Sequence, residues 1–202
     1  MVSKKLRFEL KRKIIHIILG LALTTLLYND LLSTTALILG LICGILLILI
    51  TKYAHIPLFS HALDQFERTE YRKDFPGKGT FFFVLGSSLT ITIFPKEIAL
   101  ASILILTFGD SMSAVFGLII GKTRNPWREK SKKTLEGTLA GIVCATITAT
   151  IFIPLLHAAF ASTLVMTLES LDLQKKSIFL DDNLLIPILS AVILQSIVLY
   201  LA

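Results

Sequence analysis

Asp110 lies in the apolar run ILILTFGDSMSAVFGLIIG, where an ionisable group costs at least about 2.5–3.5 kcal/mol to place at the centre of a membrane helix. A charge held at that cost marks a site. In an unbroken helix the stretch from Asp110 to Lys122 covers about 18 Å, which sets the carboxylate near the bilayer midplane. Either a wet cavity reaches down to it or the helix breaks near Gly109. Gly117 follows on the same helical face, so backbone or ligand can come close to the carboxylate.

A second group occupies KTRNPWREKSKKTLEGTLAG, where Lys122, Arg124, Arg128, Lys130, Lys132 and Lys133 crowd ahead of Glu136. Topology alone accounts for basic residues there. Glu136 is read as a site carboxylate, because with Lys132 and Lys133 one turn earlier it can pair with them or hold a cation. Near the N-terminus, Arg12, His16 and Gly20 recur at i, i+4 and i+8, stacking a cation, an imidazole and a gap on one face. Glu169 ends another apolar run, and LDDNLLIP puts Asp181, Asp182 and Asn183 just before the last one, with Asp182 or Asn183 in position to cap it. Carboxylates beside a basic segment suit Mg2+ and a polyphosphate, the apparatus of phosphoryl transfer. In it a metal neutralises phosphate oxygens, Lys and Arg hold the chain, and a base orients or deprotonates a hydroxyl. No Walker motif supplies the cradle, since GKGT at 77–80 lacks the earlier glycine.

The elements that must position these groups are membrane helices. Hydrophobic residues make up 54% of the 202 positions against 17% charged, and the mean hydropathy is +0.78, which excludes an ordinary soluble domain. Seven apolar runs serve as candidate spans: Ile14 to Tyr28, Leu31 to Thr51, Thr80 to Pro95, Ile98 to Gly121, Thr134 to Ile153, Leu155 to Leu171 and Leu184 to Ala202. The basic start and the run after it have the form of a signal peptide, but no A-x-A cleavage site follows, so the run is kept as a span. The expectation is a single all-α, polytopic helical bundle over residues 1–202. With the N-terminus cytoplasmic, all of the twenty Lys and Arg residues except Lys96 fall on the inner side, as the positive-inside rule demands. The turns on the other side are too short to build a site, so the active site faces the cytoplasm. The net charge of +6 belongs to this orientation, because the basic residues lack the aromatic pattern of nucleic-acid binding. Between the second and third runs, PLFSHALDQFERTEY repeats Leu58, Phe59, Ala62, Leu63 and Phe66 at helical spacing, an interfacial amphipathic helix broken by DFPGKGT. Cys43 and Cys144 have no metal-ligand spacing and are read as packing residues.

The blocks ELKRKIIHIILG, FPGKGTFFFVLG, ILTFGDSMSAVFGLIIGK, SKKTLEGTLAG and LDDNLLIPILS, in this order from about residue 9 to 190, resemble the polyprenol, phytol and diacylglycerol kinase family of membrane proteins. The GDS…G…G and K-K-T-L-E-G blocks are the specific part. The resemblance implies an enzyme that uses CTP, or another nucleoside triphosphate, with Mg2+ to phosphorylate a membrane lipid alcohol such as a polyprenol, dolichol, phytol or diacylglycerol. It makes Asp110 the leading metal or catalytic carboxylate, with Lys132, Lys133 and Glu136 as nucleotide-phosphate and metal partners. The expected site then comprises Asp110, Glu136 and His16 for catalysis. Arg12, Lys78, Ser111, Gly117, Lys122, Lys132 and Lys133 are expected to contact nucleotide and phosphate, and Asp110, Glu136, Glu169 and Asp182 to bind metal. The family is related to phosphatidate cytidylyltransferases, whose P-G-H-G-G and D-R-x-D hallmark is absent here, PGKGT being the only similar string. A cytidylyltransferase is therefore the alternative. A small cation or proton transporter relaying through Asp110, Glu136 and Glu169 ranks last, because the outer face offers no second charged gateway.

Overall fold

A computed structural model describes residues 4–51, 56–67, 75–125, 131, 133–171 and 181–201. These are helical, with no strand among the described residues beyond an isolated bridge between Arg124 and Thr134. The helices are α1 (Lys4–Tyr28), α2 (Thr34–Ile50), α3 (Pro57–Phe66), α4 (Lys78–Ile93), α5 (Lys96–Leu104), α6 (Ser111–Ile119), α7 (Leu135–Ala149), α8 (Leu155–Ser170) and α9 (Asp182–Leu201). A π-helical turn, Ile105–Asp110, joins α5 to α6. Taking α5, the π turn and α6 as one continuous rod, the described chain forms seven long helices and the short α3.

The seven rods follow the seven apolar runs, and their ends follow local chemistry. Ser33 caps α2 by accepting from the Ala36 N–H, and Thr134 caps α7 by accepting from the Gly137 N–H. Pro95 and Pro154 stand at the N-caps of α5 and α8, where no N–H is needed. One boundary moves substantially. The first helix begins at Lys4 rather than near Ile14, because KKLRFELKRK is made almost wholly of good helix formers and contains no Gly or Pro, so the helix continues out of the apolar run.

Among the described residues, three helices are both long and apolar enough to cross a membrane: Thr34–Thr51, Lys96–Ile119 and Asp182–Tyr200. Helices α4, α7 and α8 are apolar but run only 15 or 16 residues, about 24 Å of rise against a hydrocarbon core of about 30 Å. The outward faces are apolar throughout, with Leu156, Ile147, Leu139, Ile18 and Ile14 all exposed. The core is apolar as well, so apolar side chains cover both inside and outside, as in a helical membrane protein.

The α5–π–α6 rod is the axis of the bundle. Ile98 through Thr107 are all buried, with α1, α4, α7, α8 and α9 packed around the rod. Small residues let backbones close in. A Cβ on Gly137 would stand 2.5 Å from the Ser113 carbonyl oxygen and 2.9 Å from the Gly117 Cα, and one on Gly141 would stand 2.8 Å from the Gly109 carbonyl oxygen. The two G-x-x-x-G pairs therefore form the α6–α7 seam. Gly86 of α4 meets the Asn183 carbonyl in the same way, at 2.5 Å. That carbonyl lacks its helical donor because Pro187, four residues on, has no N–H. The α2 helix is the exception to close packing, with only Leu37 and Ile48 buried.

Candidate functional site

Asp110 closes the π turn. The helix is not broken at Gly109 but widened there, and the carboxylate is 8% exposed. A cavity of about 680 Å³ reaches it, lined on its polar side by Lys13, His16, Asp110, Ser113, Lys133 and Asp182. Both solutions to a deep carboxylate are thus present: locally relaxed backbone and access from a cavity.

Three helices bring carboxylates together. Asp110 ends the π turn, Glu169 lies in the last turn of α8, and Asp182 opens α9. Each offers an oxygen, and these oxygens all lie within 4.8 Å of one another. Their mutual repulsion is offset by lysines, since Lys13 of α1 pairs with Asp110 and Lys133 pairs with Glu169. The Glu169 side chain is fully buried, yet its Oε2 has no hydrogen-bond partner. Burial pushes the Lys133 amine down, but the Glu169, Asp182 and Asp110 carboxylates outweigh it and hold the amine above its ordinary value. Lys133 therefore stays charged at physiological pH.

The donor set fits a hard divalent cation. Three carboxylates supply only oxygen, as Mg2+ prefers, and the orphaned Glu169 Oε2 is an acceptor awaiting a positive partner.

At the rim, Lys78 opens α4, with its Nζ 3.4 Å from an Asp181 oxygen and 5.7 Å from the centre of the Phe82 ring. Asp181, not Asp182 or Asn183, caps α9. Its carboxylate accepts from the Asn183 N–H at 3.1 Å and the Asn183 Nδ2 at 3.0 Å, which leaves Asp182 to face the other two acids. Burial pushes the Asp181 carboxyl up, against the opposing pull of the Asn183 hydrogen bonds and Lys78. Glu67, just after α3, accepts from the backbone N–H groups of Gly77 and Lys78 at 2.8–3.0 Å. Gly77 takes φ +79° to present them. This contact ties the amphipathic helix to the start of α4.

The remaining sequence candidates divide. His16 lines the cavity, edge-on to Phe83 at 4.9 Å, and its Nε2 is buried without a partner. Arg12 also lines the cavity, its guanidinium bonded to Glu9 at 2.8 and 3.1 Å. Gly20 does not form a gap for ligand. A Cβ there would stand 2.2 Å from Thr107 Oγ1, so the gap is filled by the π turn. Gly117 lines the cavity and packs on Gly137. Glu136 is not brought to the carboxylate group. It accepts from the Thr123 N–H at 3.0 and 3.2 Å, closing the loop ahead of α7, and the expected partner Lys133 turns to Glu169 instead. Lys122 is exposed and outside the cavity lining. Ser111 is fully buried and does not line the cavity, because it lies about 100° around the helix from Asp110, whereas Ser113, about one turn on, does. Lys132 lies outside the described residues, as do Arg128 and Lys130.

Sequence reasoning missed Lys13, counted only as a topological charge. A signal existed: Lys13, His16 and Gly20 follow i, i+3, i+7, so the lysine shares the histidine's face.

Comparison with known proteins shows a match to the model of the family described as the cytidylyltransferase family, over residues 5–201. An uncharacterized protein of Methanocaldococcus jannaschii is 28% identical over 190 residues, 93% of either chain. A CTP-dependent diacylglycerol kinase of Schizosaccharomyces pombe is 28% identical over 136 residues, spanning 59% of this chain and 60% of the yeast protein. No solved structure matches the chain.

Proposed function

The chain belongs to the cytidylyltransferase family, and from that premise we propose that it is a lipid kinase, moving the γ-phosphoryl group of CTP to the hydroxyl of a membrane lipid alcohol. One observation carries the reading: a cavity polar at the carboxylate–lysine cluster and apolar along α1, α2 and α4. A water-soluble polyanion and a lipid hydroxyl can meet only in such a place. The yeast relative, named for CTP and diacylglycerol, supports the kinase branch.

Asp110, Glu169 and Asp182 would hold Mg2+, which supplies charge neutralisation of the phosphate oxygens when bound. Lys13 and Lys133, and Lys78 and Arg12 at the rim, bind and orient the triphosphate. His16 Nε2 accepts the proton of the lipid hydroxyl. The lipid oxygen then bonds to the γ-phosphorus while the bond to the β-phosphate oxygen breaks, and CDP leaves. We place the N-terminus and this cavity on the cytoplasmic side, following the charge asymmetry.

The family description favours a second reading, cytidylyl transfer with release of pyrophosphate. Incubating purified protein in detergent with Mg2+, a panel of lipid alcohols and phosphatidate, and CTP labelled at the γ- or the α-phosphate separates them. The kinase puts γ-label into lipid; a cytidylyltransferase puts α-label there. Asp110→Asn is expected to lower γ-transfer about 10²–10⁴-fold, and EDTA to abolish it. Unchanged transfer in Asp110→Asn would remove Asp110 from the chemistry.

A further inference from the structure

The α2 helix carries a G-x-x-x-G pair, Gly40 and Gly44, of the kind that lets helices pack closely. Elsewhere in the bundle such glycines are used. A Cβ on Gly20, Gly86, Gly109, Gly137 or Gly141 would come within 2.8 Å of another atom. At Gly40 and Gly44 a Cβ would meet nothing within 4 Å. Both nevertheless face inward, lining the cavity with Leu41, Leu47 and Ile48, while Ile38, Ile42, Ile45 and Leu49 face out. The opposite wall comes from Ile15 and Leu19 of α1 and Phe83 and Val84 of α4. This apolar trough runs without interruption to His16, whose buried Nε2 lacks a partner, and to Asp110. The whole cavity, trough and polar site together, holds about 680 Å³, within the usual range for a ligand site.

We propose that the trough between α1, α2 and α4 holds the hydrocarbon tail of the acceptor lipid, and that Gly40 and Gly44 set how thick a tail it admits. The lipid passes in from the bilayer beside α2, the rod that packs principally on α4 and is otherwise lightly buried. With the tail along α2, the hydroxyl reaches His16 Nε2 and can donate to it. The groove is thus the specificity element of the kinase site, and the inference rests on the kinase reading for the identity of the headgroup. A second copy of the chain is a poorer occupant. The glycine face opens into the cavity beside Asp110, where another helix would block the carboxylates.

The test uses the full chain in detergent, a long-chain alcohol bearing a photoactivatable diazirine, and the variants Gly40→Trp, Gly44→Trp and, facing outward, Ile45→Trp. The expected labelled peptides come from α1, α2 and α4. Labelling should fall about tenfold or more in the two glycine variants and stay at the wild-type level in Ile45→Trp. The same glycine variants should lose kcat/KM toward long-chain alcohols by a similar factor while a short prenyl alcohol keeps its rate. Gly44→Leu, which fills less of the trough, should give an intermediate loss, and equal thermal midpoints would show that folding is intact. Undiminished labelling in Gly40→Trp and Gly44→Trp overturns the groove. So does loss of a dimer rather than of lipid labelling. Labelling that falls as expected in a protein transferring no phosphate to any alcohol would leave the groove standing and refute the kinase reading instead.

Discussion

Glu169 is the residue whose situation is least comfortable: a fully buried carboxylate with one oxygen bonded to Lys133 and the other bonded to nothing. Lys133→Met removes the compensation and should destabilise the protein by about 3–5 kcal/mol, since an uncompensated charge would be left in the bundle. Mg2+ should restore part of the loss in a thermal melt, because a divalent ion at the three acids replaces the missing positive charge. Lys133→Met with Glu169→Gln should recover most of it. A Lys133→Met melt insensitive to Mg2+ would count against metal at Glu169. The pH dependence has a definite sign. Lys133 is held above its ordinary value, so its stabilisation is complete at any pH below about 10, the unfolded value, and is lost as pH rises through the folded one. Its contribution is therefore constant between pH 6 and 9, and melting temperatures should show no pH dependence from Lys133 across that range. At this scale the sequence named Asp110, Glu169 and Asp182 together with Glu136, and the structure groups the first three, because Asp110 and Glu169 stand out in apolar runs while nothing in composition separates Glu136 from them. It did not separate Ser111 from Ser113, or Asp181 as the cap from Asp182 beside the other two acids, because each depends on a rotation that composition does not record.

Among the elements, the tightest seam joins α6 to α7. The atoms that a Cβ on Gly137 would strike are the Ser113 carbonyl and the Gly117 Cα, both backbone and unable to swing aside. Gly137→Ala should therefore cost about 1–3 kcal/mol and, by moving α6, reduce activity beyond what the lost stability explains. Measuring residual activity well below the melting temperature checks this. A second element-level contact, Glu67 at the start of α4, is a capping interaction supplied from outside the helix. Glu67→Ala should cost about 0.5–2 kcal/mol, read as a lowered melting temperature. Helix positions were legible because apolar length is a strong signal. The extension of α1 back to Lys4 was not, since hydropathy stops at Lys13 while helix propensity does not.

For the molecule as a whole, charge is distributed by side. Among the described residues, the carboxylate–lysine cluster lies where α4, α7 and α9 begin and α8 ends, whereas Lys96, at the start of α5, pairs with Asp30 at 2.6 Å, an exposed contact worth about 0–1 kcal/mol. With Cys43 and Cys144 replaced by alanine, Lys96→Cys should react with a membrane-impermeant maleimide added outside intact cells. Lys122→Cys should react only after permeabilisation. The reverse pattern would invert the orientation. The orientation that this labelling tests is readable from the positions of the basic residues as an expectation, because insertion responds to charge near the ends of spans. The cavity was not, because it arises from what α2 fails to contact.

The π turn has one more consequence. It holds one residue more than an α-helix would in the same rise, so everything after it is phase-shifted by about 100° relative to α5. Asp110 meets Lys13, Glu169 and Asp182 only in that shifted phase. Deleting one residue between Ile105 and Gly109 would leave every side chain of the cluster present while rotating it off its partners. The site is therefore encoded by a residue count as much as by residue identity, and a one-residue deletion there should be as damaging as removing the carboxylate.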